Sequence, residues 1–316
     1  MLDSLRTAGF QIEFHSHAEA ILSVDFAEVA DQLGTILATA TIPIEEIIGS
    51  GGGETKGTQR LRRALHDHGW RKHKFEVQRT IDGIARESIS HEVDHIARFP
   101  AGVVALEIEW NNKDPFFDRD LENYKRLHAD GAISIGVLIT RGISLQDEMR
   151  SMVLRFAMEK RINGKSDLER IGLSPTRRQL AEYARRTRGE TTFSQAWAAA
   201  FVQDKFGAAT THWRKLEDRV NRGVGNPCPL LLIGLPANLV TFGEPEAVVE
   251  RLIEDGDTSI EQTWHVPISA RMIGVGLPGW LVIRVSLIAP YDPARARTPC
   301  EQLDPWCRTT TLNNVV

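Results

Sequence analysis

The chain has 316 residues, 42% hydrophobic and 25% charged, with 38 Lys+Arg against 42 Asp+Glu for a formal net charge of −4. That length fills one large core or two ordinary ones, and the mix is that of a soluble globular protein. The negative balance excludes indiscriminate coating of nucleic acid, while leaving room for a basic cleft beside an acidic centre. No apolar run reaches membrane-span length and no N-terminal signal pattern is visible, so a cytoplasmic chain with no membrane partner is expected. The three cysteines, Cys228, Cys300 and Cys307, are too scattered for a disulfide framework or structural zinc and are expected to be reduced.

In chain order, Phe10-Gln11-Ile12-Glu13-Phe14 alternates like a strand, and His15 and His17 read as surface histidines. A helix is expected from about Asp25, near its cap, to Ala40, with Ala27, Val29, Ala30 and Leu33 at helical spacing. Gly49-Ser50-Gly51-Gly52-Gly53 lacks the ending of a nucleotide-phosphate loop and reads as a flexible connection. Gln59 to His68 reads as a basic helix carrying Arg60, Arg62 and Arg63, followed by Arg71, Lys72, His73 and Lys74. A solvated face and a phosphate-contacting surface are both open readings of this cluster. Lys74 to Thr80 is expected to be a strand.

The stretch from His91 to Trp110 reads as two strands joined at Phe99-Pro100-Ala101-Gly102. Alternation sends Val104, Leu106, Ile108 and Trp110 to one face, and Glu107 and Glu109 to the other. A short loop sets Arg98 opposite Val103; counting outward, Asp94 falls opposite Glu107 and Glu92 opposite Glu109. Four carboxylates on one face, with no intervening Lys or Arg in either strand, repel unless a cation is shared. A hard divalent ion with oxygen ligands, magnesium by default, is one remedy; an ordinary wet hairpin face is the plainer reading. Glu87 is a weaker candidate for placing a water or a second ion.

Asp114 is placed to cap a helix starting at Pro115 and running to about Ala129, with Phe117, Leu121, Tyr124 and Leu127 on one stripe. Ala132 to Thr140 reads as a buried strand, parallel to its predecessor across the helix. A helix from Ser144 to about Arg161 precedes an Arg-rich span, 160–188, that is in part a solvated face and a second candidate backbone-binding surface. Lys205 to Lys215 includes Thr210, Thr211, His212 and Arg214, residues suited either to DNA contact or to a helix start with Trp213 buried. Leu230 to Leu235 and Leu281 to Ile288 read as strands, residues 244–253 as a helix, and Asp292 opens an irregular tail. A single elaborated domain over 1–316 is expected.

Asp94, twelve residues, then Glu107-Ile108-Glu109 resembles the Asp…Glu-x-Lys signature of PD-(D/E)XK nucleases. The continuation from Trp110 through Asn111-Asn112-Lys113-Asp114-Pro115-Phe116-Phe117-Asp118-Arg119-Asp120 to Leu121 is similar to the BglII/BamHI-like branch of type II restriction endonucleases, where Glu109 fits the replacement of the Lys. The similarity is detailed over about 45–145, with an echo near 200–235. It implies an α/β, restriction-endonuclease-like core with a central mixed sheet flanked by helices, and a largely helical C-terminal elaboration over about 146–316. It further implies Mg²⁺, with Mn²⁺ substituting, held by Asp94, Glu107 and the Ile108 carbonyl. Glu109 would orient or deprotonate the attacking water, with Lys113 as a candidate transition-state cation. Asn111 and Asn112 become recognition candidates, and the resemblance tips Lys205, Thr210, Thr211, His212, Arg214 and Lys215 toward DNA. The implied partners are double-stranded DNA at a palindromic site, a second copy as homodimer, and a cognate DNA methyltransferase in a bacterial or archaeal cytoplasm. A structure-specific repair or recombination nuclease and a DNA-binding protein without catalysis are the competing readings.

Overall fold

A computed structural model describes residues 1–49, 55–188, 191–243, 262–267 and 280–285. The chain divides into two compact units, Met1–Gly243 and Glu244–Val316. The first opens with α1 (Asp3–Thr7), β1 (Gln11–His15), α2 (Ala18–Asp25), α3 (Ala27–Ala38), β2 (Ile42–Pro43), α4 (Ile44–Gly49) and α5 (Lys56–Asp67). It continues through β3 (Arg71–Ile81), β4 (Ile84–Phe99), β5 (Gly102–Glu109), α6 (Phe116–Ala129) and β6 (Ile135–Arg141). Helices α7 (Ile143–Glu159), α8 (Lys165–Arg170), α9 (Arg177–Arg186), α10 (Phe193–Phe206) and α11 (Trp213–Asn221) then lead to β7 (Leu230–Leu235) and β8 (Val240–Thr241). Within the second unit, β9 (Gln262–Pro267) and β10 (Trp280–Val285) pair antiparallel. The expected helix at 244–253, the end of the strand expected to Ile288, Cys300, Cys307 and the tail lie outside the described residues.

Six strands form one mixed sheet in the order β1-β7-β6-β5-β4-β3. The β5–β6 and β6–β7 pairs are parallel and the other three antiparallel. The parallel pair follows from α6, since parallel neighbours need a crossover. The hairpin closes where turn chemistry places it: Phe99 pairs with Gly102 and Arg98 with Val103. Gly102 is needed there, because its φ is +152° and a Cβ would run into the Ser134 Oγ.

Strand alternation gives the sheet two cores. Val104, Leu106, Trp110, Val137 and Ile139 face a layer that includes Leu33, Leu37, Met149, Val153 and Trp197. On the other side Ala105, Leu138, Leu230 and Leu232 pack against Phe117, Leu121, Tyr124 and Leu127 of α6 and Trp213 and Leu216 of α11. Each such fully buried side chain contributes about 1.5–3 kcal/mol. The glutamates of β5 share the α6 side.

Two expectations about caps and register are corrected. Asp114 does not cap α6, which starts at Phe116 after Pro115 with no side-chain cap; its carboxylate instead lies 3.4 Å from both Lys215 Nζ and Arg219 Nη2. The cap expected at Asp25 or an adjacent residue falls on the adjacent Phe26, while Asp25 ends α2. Glu92 does not face Glu109: the β4–β5 ladder ends at His95–Leu106, and Glu92 pairs with Lys74 on β3.

Gly136 fixes how closely α6 approaches. A Cβ there would overlap the ring of Tyr124, which is fully buried and anchored by its hydroxyl donating to the Val137 carbonyl at 2.9 Å. Gly136→Ala is therefore expected to destabilise by about 1–3 kcal/mol. In a thermal melt that is a loss of about 2–4 °C per kcal/mol; an unchanged melting temperature would show that α6 is free to shift.

Candidate active site

The Thr140 hydroxyl donates to the Glu109 carbonyl at 2.7 Å, so the carbonyls of odd-numbered β5 residues face β6. Those of even-numbered residues face β4, as the 3.2 Å contact of His95 Nδ1 with the Leu106 carbonyl requires. The Ile108 carbonyl therefore points to the β4 edge, past the last β4–β5 pair. There the strands stay tied by a side chain: the Asp94 N–H donates to Glu107 Oε1 at 3.2 Å.

Glu109 is 3% exposed and Glu107 6%. Glu109 Oε2 accepts from Asn112 Nδ2 at 2.7 Å, and Oε1 lies 3.5 Å from Arg119 Nη2. Arg119 also binds Asp120 Oδ1, through Nε at 2.8 Å and Nη2 at 2.7 Å, while the buried Asp120 Oδ2 has no hydrogen-bond partner. Burial pushes Glu107 up to about 9, with the charges of Asp120 and Asp94 adding to it. Burial and then Asp120 raise Glu109 to about 8, and burial raises Asp120 as well. Asp94 is exposed and 3.7 Å from Lys72 Nζ, which lies closer, at 2.7 Å, to Glu92. The expected face free of cations is thus corrected: Lys72 enters from β3 and Arg119 from α6.

Among the described residues no three or more His, Cys, Asp or Glu side chains are arranged to hold a metal ion. The donor chemistry nevertheless fits a hard dication: two neighbouring carboxyls, one of them buried at raised affinity for protons, beside a carbonyl turned out of the ladder. Asp94 and Glu107 adjoin at this edge through the Asp94 N–H, and Ile108 follows Glu107 on β5. The side chain of Glu87 lies outside the described residues.

The loop after β5 is clasped by the segment before α11. Asp114 N–H donates to the Ala209 carbonyl at 3.0 Å, Thr211 N–H to the Asn112 carbonyl at 2.8 Å, and Lys113 bridges Thr210. Buried Arg141 locks the two together. Its Nε donates to the Trp110 carbonyl at 2.7 Å, and Nη2 to Thr210 Oγ1 at 2.7 Å and the Thr211 carbonyl at 2.6 Å. Burial lowers Arg141 to about 9. The two stretches expected to face DNA are therefore one assembly.

Within it the expected contact residues divide. Asn111 is half-buried; Asn112 and Lys113 are exposed. Arg214 is exposed and bound to Asp147 through two bonds of 2.7 and 2.8 Å, and Lys215 lies 3.4 Å from Asp114. Lys205 is half-buried over the Phe201 ring. Thr211 and His212 are corrected: both side chains are buried, and burial lowers His212 to about 4, so neither is presented at the surface. In the first basic cluster Arg60 is held by Glu46 at 2.5 and 2.9 Å.

Arg119 and Asp120 were not identified as site residues from the sequence, and Lys72 was read only as one of a basic cluster and not beside the acids. Asp120 carried a signal, since it stands three residues after Phe117 and four before Tyr124, on the buried stripe of α6.

A central mixed sheet flanked by helices, with acids at the end of its third-to-last strand, defines a restriction-endonuclease-like fold. Residues 10–235 match the family described as Restriction endonuclease BglII/BglIII. The chain belongs to that family and is a type II site-specific deoxyribonuclease. A search of curated proteins finds no match to it. No helix among the described residues is long and apolar enough to cross a membrane.

Glu107 makes stability depend on pH. A carboxyl whose folded pKa is raised from 4.5 to about 9 favours folding below its unfolded pKa and loses that contribution as pH climbs toward 9. In chelator, Glu107→Gln should melt above the parent at pH 8, by about 2–4 °C for each kcal/mol recovered, and converge with it near pH 5. A lower melting temperature at pH 8 would mean that the fold stabilises the charged form.

Proposed function

We propose that this nuclease cuts both strands of a short palindromic duplex site in a Mg²⁺-dependent reaction, with Mn²⁺ able to substitute. The observation that carries this reading is the pairing of Asp94 with Glu107 at the open edge of β5, two residues from buried Glu109 and adjoining the clasped loop. Asp94, Glu107 and the Ile108 carbonyl would hold the ion. Bound there, it supplies Lewis-acid polarisation of the phosphate and a more acidic water.

The chain's own residues account for the rest. Glu109 accepts the proton of the attacking water, and the Asn112 amide holds its carboxylate in place. The raised pKa of Glu109 makes it a better proton acceptor than an exposed carboxylate. Water's oxygen bonds to phosphorus as the P–O3′ bond breaks, and the 3′ oxygen leaves with a proton from solvent. Asn111, Asn112, Lys205, Thr210, Arg214 and Lys215 form the DNA-facing assembly, with Thr211 and His212 supporting it from inside. Arg214 and Lys215 reach phosphates by exchanging Asp147 and Asp114 for them. A palindromic site is read by a two-fold homodimer, with α6 a candidate dimer element. In the cell, bacterial or archaeal cytoplasm by this reading, a methyltransferase of the same specificity protects the host site.

The test is digestion of one plasmid of known sequence with Mg²⁺, the ends read by run-off sequencing. Discrete fragments from a single symmetric site are expected; a smear, or an intact plasmid, overturns the reading. Asp94→Asn and Glu107→Gln should each lower the single-turnover rate by at least about 10³-fold. Binding to the mapped duplex in Ca²⁺ should be unchanged or tighter, because repulsion of the phosphates falls. Near-parental cutting by Asp94→Asn would remove that residue from the site.

A further inference from the structure

A phosphodiester approaching this edge carries negative charge toward Asp94, Glu107, Glu109 and Asp120. Positive charge is placed on these acids from two flanks. Lys72, on the β3 side, is bound mainly to Glu92. Arg119, on the α6 side, is bound to the two most deeply buried acids. Its side chain is 53% exposed, whereas those of Glu109 and Asp120 are 4% and 2% exposed. The guanidinium is thus a cover over both carboxyls, and a group reaching Glu109 from solvent meets it.

The orientation of that cover is fixed. Nε and Nη2 are bound to Asp120, Nη2 also approaches Glu109, and Cζ lies 4.4 Å from the centre of the Phe116 ring. Nη1 carries two N–H donors that have no hydrogen-bond partner among the described residues. Lys113, the cation expected from the sequence, is exposed, with its backbone bridged to Thr210.

We propose that Arg119 is a catalytic residue of this nuclease, its Nη1 donating to a nonbridging oxygen of the scissile phosphate while Nε and Nη2 stay on Asp120. Asp120 is then the positioning residue that aims it. Arg119 remains protonated throughout and transfers no proton; it holds the charge that gathers on the nonbridging oxygens as the water–phosphorus bond forms and the P–O3′ bond breaks. A Lys at this position offers a point charge and cannot bind Asp120 and a phosphate oxygen in the same planar fork. The proposal rests on the assignment of Asp94, Glu107 and Glu109 as the cleavage site.

The test uses the full chain and a duplex carrying the site mapped from the plasmid digest. Rates are measured under single turnover in Mg²⁺ for the parent, Arg119→Gln and Arg119→Lys, on the normal phosphate and on each of the two phosphorothioate diastereomers at the scissile position. Affinity for the duplex is measured in Ca²⁺, and melting temperature for each variant. Arg119→Gln keeps a donor for Asp120 and is expected to fold; its rate should fall on the order of 10²–10³-fold, with Ca²⁺ affinity within about threefold. Arg119→Lys should recover part of the rate. The parent's preference between the two diastereomers should shrink in both variants, because one nonbridging oxygen has lost its donor. A folded Arg119→Gln that cuts within about tenfold of the parent, or keeps the parent's diastereomer preference, reduces Arg119 to a neutraliser of buried acids. If Arg119→Gln does not fold, Arg119→Lys decides by its diastereomer preference alone. A parent that leaves DNA intact with Mg²⁺ and Mn²⁺ brings down the cleavage-site assignment and Arg119 together; an active parent with an active Arg119→Gln brings down Arg119 only.

Discussion

Everything at the working edge of this protein depends on burying like charges in the seam between β5 and α6. Glu107, Glu109 and Asp120 are each less than a tenth exposed, on the side of the sheet that packs Phe117, Leu121 and Tyr124. Water is withheld from carboxyls that repel one another, and they respond by holding protons or borrowing a cation. The apolar contacts on both faces of the sheet supply the stabilisation that keeps the seam closed. A site held under such tension has standing affinity for positive charge, which is the property a phosphate-cleaving centre needs before substrate arrives.

The cations answer that tension from outside the catalytic strands, Lys72 from β3 and Arg119 from α6. Their different settings suggest a division of labour. Lys72 is compact, exposed and shared with Glu92, so it yields readily to a competing ion. Arg119 is fixed by two nitrogens and a ring face, so its remaining donors are aimed before substrate arrives. The same economy marks the outer surface, where Arg214 and Lys215 rest on Asp147 and Asp114. Under the DNA contacts proposed for them, those carboxylates would fill places that phosphates take on binding and so temper affinity for arbitrary DNA.

Much of this arrangement was legible in the residues. Pro100-Ala101 between alternating runs dictated the hairpin, its Arg98–Val103 register and hence Asp94 beside Glu107. The stripe of Phe117, Leu121, Tyr124 and Leu127 gave α6, and the run of branched residues after it gave β6. Lys72 was hidden because its place depends on how β3 pairs with β4, and that pairing shifts register between Arg71 and His73. No local rule forecasts such an irregularity. Asp120 was hidden for the opposite reason: it occupies a core position on α6, where an acid reads as an interruption of the stripe. Thr211 and His212 looked like surface contacts, but the chain folds them under the clasp. Their neighbours Lys113 and Thr210 are nearly a hundred positions apart in sequence, so the clasp has no local signature.

Arg141 ends β6 with no carboxylate among its partners in the described residues; four oxygens from Trp110, Gln146, Thr210 and Thr211, and the face of Phe206, surround it. A charge solvated in this way acts as a rivet, since withdrawing any one plate leaves it stranded in an apolar interior. Replacing the 205–215 segment would therefore keep the clasp only if the replacement preserves a hydroxyl at 210 and the backbone path at 211. Grafts that keep the rivet seated inherit the path of β5; grafts that unseat it disturb Trp110, one residue from Glu109, and with it the proposed cutting centre.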